Sequence, residues 1–229
     1  MKKIINPVLG LCALALLFIC VRSILDTMNF DSEVAARENV VKARLLEIRS
    51  AEEAYKIRRG GEYCADWNVL IDFVKNDSLA QVMKQGVLTD DQMDKGLTEA
   101  TAAAIVNSGD QKAIAENGLQ DFRRDTVWVS VIDSLFNYEG FCADSLRFIP
   151  FAEGDTFEVV AVPNTTRSGS IIQVMECNAP DSSFLKGMGT QGKRLIYNRK
   201  EDAEARGAYA GLKIGDAGNN WNNNAGNWE

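Results

Sequence analysis

The chain has 229 residues, a net charge of −7, 46% apolar residues and no histidine. Beyond residue 25 it holds 22 basic and 32 acidic residues, a net charge of −10. That acidity sets nucleic acid aside as a partner, because phosphate binding requires a clustered basic face, and it disfavours lying flat on anionic lipid. The missing histidine removes the commonest general base and zinc ligand.

The first predicted element is a membrane anchor over residues 1–25. Lys2 and Lys3 precede 18 uncharged residues, 4–21, and Ile24 and Leu25 carry the apolar character past Arg22. At ~1.5 Å per residue, roughly 20 residues cross a ~30 Å hydrocarbon core, so the run is just long enough. Asn6 and Pro7 lie in its first turn, where proline is tolerated. A cleaved signal peptide fits less well, because Arg22 abuts the apolar core and no A-x-A follows. A lipoprotein also fits poorly, because Leu11 and Ile19 precede Cys12 and Cys20 where a small residue is needed. Residues 4–25 are therefore expected to enter the membrane. The two lysines predict a cytoplasmic N-terminus, a single pass of the inner membrane and a periplasmic main domain.

Residues 26–77 are predicted as an amphipathic stalk helix and first loop. Val34, Val41, Leu45, Ile48 and Tyr55 recur at spacings of 7, 4, 3 and 7, a stripe on one helical face. Glu38 with Lys42 and Glu52 with Lys56 form i,i+4 pairs in the better orientation. Arg58 and Arg59 complement the helix dipole, and Gly60-Gly61 supplies a C-cap. The stripe is an interaction surface for a partner helix, hence a possible homo-oligomer, or for the chain's own sheet. Only about three interrupted heptads are present, which favours the chain's own sheet.

A short helix is expected over residues 66–74. Residues 78–120 read as a small helical insertion, broken at Gly86, Gly96 and Gly109, with Thr89-Asp90-Asp91-Gln92 as a capping start. From Thr126 the period changes to two, and residues 121–215 read as an antiparallel sheet region of four or five strands. Strand candidates are 127–131, 146–151, 156–162, 170–177 and 194–198, with 212–214 as an edge. Glu153-Gly154-Asp155 and Arg167-Ser168-Gly169 mark turns, and residues 200–206 a brief polar helix. Residues 216–229 are an Asn-rich tail. It is either a docking peptide anchored by Trp221 and Trp228 or a frayed terminus, and the second reading is the simpler. EF-hand spacing for calcium is absent.

Cys64 and Cys142 share a Cys-Ala-Asp context and form a candidate disulfide. The alternative is that they and Cys177 are reduced, buried small hydrophobes. No C-x2-C spacing occurs, so neither a metal nor a cofactor is expected. No catalytic motif is present. The fold class is α+β: a transmembrane helix continuing into a long amphipathic helix packed on the antiparallel sheet.

Ala51-Glu52-Glu53-Ala54-Tyr55 followed by Gly60-Gly61-Glu62-Tyr63 and Leu70 resembles the helix end and first loop of type IV pilins and pseudopilins. The resemblance implies a helix lying on a sheet of four or so strands, and anchors that bundle into a filament or pool in the inner membrane. Where that family carries a glutamate five residues past its leader glycine, this chain has Ala15, counted from Gly10. Gly226-Asn227-Trp228-Glu229 is also similar to the ending of single-span Gram-negative envelope proteins, a likeness that brings no activity. The expected function is a non-enzymatic, pilin-like component of a secretion or surface-appendage assembly, with protein partners in the envelope. The alternatives are an anchored periplasmic adaptor that dimerises through the stalk, and an envelope enzyme using carboxylates such as Asp66 and Asp144.

Overall fold

A computed structural model describes residues 2–166, 168–218 and 224–229, with side chains from Leu11 onward apart from Cys12. The protein is α+β. One helix, α1 (Lys2–Arg58), covers both the apolar run and the stalk without a break. It ends where Gly60 takes φ +81° and the Gly61 N–H donates to the Lys56 carbonyl at 2.8 Å. This is the left-handed, six-to-one stop that glycine allows.

The chain then divides into two compact units, residues 1–71 with 142–229, and residues 72–141. Helix α2 (Trp67–Asn76) spans the boundary. In the second unit, strand β1 (Ser78–Gln85) pairs antiparallel with β2 (Arg123–Ser130), from Ser78 opposite Ser130 to Gln85 opposite Arg123. Between them lie α3 (Asp90–Asp94), α4 (Glu99–Ser108) and α5 (Gln111–Glu116), and α6 (Val131–Leu135) follows β2. The Thr89–Gln92 capping box forms as expected. A small core of Leu88, Ala102, Leu119 and Phe122 holds the helices.

In the first unit a 3-10 turn (Ala143–Arg147) leads to a three-stranded antiparallel sheet in the order β3 (Glu158–Thr165), β4 (Ile171–Pro180), β5 (Gly211–Gly215). Cys177 stands opposite Val159 and Ile214, so Met175, Cys177, Ala179, Leu212 and Ile214 share one buried face. Helix α7 (Asp181–Phe184) and the long α8 (Gly189–Arg206) connect β4 to β5.

Four expectations need correction. The sheet of four or five strands is two separate sheets, of three strands and of two. Residues 78–85 form a strand rather than helix, because β2 supplies a partner and pairing overrides weak local propensity. Residues 146–151 do not form a strand. Ala143, Leu146 and Ile149 are buried at a spacing of three, and the Cys142 carbonyl accepts from Ser145 N, which closes a turn. Residues 194–198 lie inside α8, where Leu195-Ile196-Tyr197 is flanked on both sides by charged helix formers.

Candidate functional site

Helix α1 carries the two features with functional content. From Leu11 to Met28 its large apolar side chains are 48–71% exposed. Within the described residues it is the helix long and apolar enough to cross a membrane. From Val34 onward the same helix is packed. Val34, Val41, Leu45 and Ile48 are buried, as are Ala51 and Ala54, and α1 lies against β5, α7 and the 3-10 turn. The stripe predicted as an interaction surface is thus consumed by the chain's own unit, with Tyr55 half-buried at its end.

Continuing the 41, 45, 48 spacing lands on Glu52, and the structure buries it completely. The expected Glu52–Lys56 pair is replaced. Glu52 Oε2 accepts the Cys64 N–H at 2.9 Å, while Lys56 Nζ meets the Tyr63 hydroxyl at 3.3 Å and lies 4.4 Å from its ring centroid. Glu52 Oε1 has no hydrogen-bond partner. Burial pushes the Glu52 carboxyl from 4.5 up to about 7, with the Cys64 N–H pulling the other way. Burial also raises the Cys177 thiol, and the Glu52 charge adds to it. The Cys64 thiol rises chiefly by burial and donates to the Asp66 carbonyl at 3.2 Å. This cluster can hold a proton near neutral pH. Its thiols are held in the protonated, unreactive form.

A polar network ties α1 to α7 and α8. Arg199 of α8 meets Glu38 of α1 at 2.8 Å and Asp181 of α7 at 3.3 Å. Lys42 pairs with Glu38 at 3.6 Å, as the spacing predicts. Burial raises the Asp181 carboxyl and Arg199 counters it. A cleft of about 610 Å³ opens here, lined by Arg199, Arg206, Lys213, Asp181, Asp216 and Tyr209 among others. Burial, then nearby carboxylates led by Glu158, push the Tyr209 phenol up to about 12. Asp181 pairs with Arg199 and Asp216 with Lys213 at 3.8 Å, so the acids of the cleft are already answered by its cations.

Residues 224–229 do not fray. Gly226 bridges to Ile214, and Gly215 N donates to the Ala225 carbonyl at 3.0 Å. The Asn227 side chain accepts from Lys213 N and donates to Gly211 O, holding the first half of β5. Trp228 is half-buried with Lys42 Nζ 5.9 Å from its ring centroid, and Glu229 meets Arg49 of α1 at 3.3 Å. Of the two predicted anchors, Trp228 thus packs against its own chain, and Trp221 lies outside the described residues.

Cys64 and Cys142 carry free thiols, the first buried and the second exposed, so the candidate disulfide is not formed. Asp66 and Asp144 are both exposed, and Asp66 caps the start of α2 by accepting from Asn68 N at 2.8 Å. Among the described residues no cluster of side chains could hold a metal ion. The buried carboxyls are Glu52 and Asp181, and only Glu52 had a readable signal, its place on the stripe. No family model, no curated protein and no solved structure matches this chain.

Proposed function

We propose that the protein is a membrane-anchored structural component of the bacterial envelope, built like a pilin or pseudopilin and working in a secretion or surface-appendage assembly. One observation carries the reading: a single unbroken helix exposes large apolar side chains from Leu14 to Leu25 and packs against the three-stranded sheet at β5 from Val34 onward. Such a helix couples a lipid-facing tether rigidly to a folded head. The head is acidic, and the two acids of its polar cleft are already paired with cations, which suits a scaffold. The N-terminus is placed in the cytoplasm and the head in the periplasm, on the strength of Lys2 and Lys3.

The test is fractionation with topology mapping. The full chain should stay in the inner-membrane pellet through an alkaline carbonate wash, and Cys142 should react with an impermeant thiol reagent added outside the inner membrane. A chain beginning at Ser32 should be soluble. Release of the full chain by carbonate would sink the anchor, and protection of Cys142 would reverse the topology. The adaptor alternative requires dimerisation through the Val34–Tyr55 stripe, whose Val34, Val41, Leu45 and Ile48 side chains are already buried within one chain.

A further inference from the structure

The whole-chain charge hides a local exception. Residues 182–200 contain five basic residues, Lys186, Lys193, Arg194, Arg199 and Lys200, and no acidic one, in a chain of net charge −7. Their place relative to α1 gives this a meaning. Gln191, in the first turn of α8, closes a hollow of about 290 Å³ on the side of α1. The other walls are Phe18, Ile19, Arg22, Ser23, Asp26 and Thr27. Phe18 and Ile19 belong to the uncharged run, and Arg22 is the first charge after it. The first turn of α8 therefore lies at the level where α1 changes from apolar to charged. Eight residues on, Arg199 meets Glu38, so α8 runs beside α1 in the same direction and its start faces the apolar half.

We propose that residues 189–194 rest on the bilayer surface and engage the phosphates of anionic phospholipid. Lys193 and Arg194 join Arg22 as the cationic rim, and the glycerol and upper acyl chain lie along Phe18 and Ile19; Lys186 stands back from it, its carbonyl accepting from Arg37 Nη1 at 3.0 Å. The inference rests on the anchor reading above and extends it to a specific lipid contact. Lys193 and Arg194 are exposed. The acid paired within the rim is Asp26, 3.8 Å from Arg22; the pair is exposed and exchanges readily for a phosphate. Gln191 and Thr27 add uncharged hydrogen-bonding groups, and basic side chains within a Debye length of ~8 Å feel the surface potential.

The test uses the full chain in lipid nanodiscs, with a fluorescent amino acid at position 17, 191 or 202 in separate preparations. Quenchers are carried on the lipid mid-chain or on the headgroup. Position 17 should be quenched from the mid-chain, position 191 from the headgroup, and position 202 from neither. Headgroup quenching at 191 should be stronger in phosphatidylglycerol than in phosphatidylcholine. The Lys193→Gln, Arg194→Gln double variant should reduce it about twofold in the anionic discs and leave position 17 unchanged. An unquenched position 17 overturns the anchor, and the lipid contact with it. A quenched 17 with 191 as dark to the quencher as 202, or equal quenching at 191 in both lipids, overturns the lipid contact alone.

Discussion

Glu52 sits four residues past Ile48 on the buried face of α1, with one carboxyl oxygen bonded to the Cys64 N–H and the other without a partner. Its carboxyl titrates near 7 in the folded protein against 4.5 unfolded. The folded state therefore holds the proton more tightly, and this group's contribution to stability falls as pH rises from 4.5 through 7. A shift of that size corresponds to about 3 kcal/mol lost above neutrality. Glu52→Gln keeps an acceptor for the Cys64 N–H and removes the charge. It should raise the midpoint of thermal unfolding of the detergent-solubilised chain at pH 8 and leave it nearly unchanged at pH 5. Parallel shifts at both pH values would mean that ionisation is not the cause. Spacing placed this residue on the stripe, but its acidic side chain reads as surface, because periodicity does not report what covers a position.

At the scale of elements, the segment 224–229 behaves as a strap over β5. Gly226 is buried, and a Cβ there would lie 2.5 Å from the Trp228 ring. Gly226→Ala should cost about 1–3 kcal/mol as the strap lifts. Hydrogen exchange of the 211–215 amides should quicken while that of the β3–β4 pair holds; unchanged protection in β5 would show that the strap is not what shields it. The Asn-rich composition hid this strap, because its grip comes from backbone bonds to β5, the Asn224 and Asn227 side chains and the Arg49–Glu229 pair rather than from apolar periodicity. Helix α8 was hidden for the opposite reason. Its three central apolar residues fit either period, and only the full length of 18 residues settles the matter.

At the scale of the molecule, the two units differ in what holds them. The first buries α1 and one sheet face around Leu45, Ile48, Met175, Cys177 and Ile214. The second packs its inserted helices on a four-residue cluster beside a two-stranded ribbon on which Val82 and Trp128 are 54% and 56% exposed. An isolated two-stranded ribbon is marginal in water, and protection follows local burial. Native-state hydrogen exchange of the full chain should therefore show 78–85 and 123–130 opening well before 41–54 and 174–179. A single common opening energy for all four segments would instead make the units one cooperative body.

The sequence by itself determined α1: its uncharged run, its stripe, its glycine stop and the α+β class. Each of these is written in residues within one or two turns of each other, and local periodicity needs no partner to be legible. Tertiary structure alone decided the pairing of β1 with β2 across three intervening helices, the division into two sheets, the burial of Glu52 and the docking of the strap. It also set the basic start of α8 against the point where α1 turns apolar. Those features depend on which distant surfaces meet, and a strand edge, a carboxyl or a cationic loop carries no local mark of what will lie across from it.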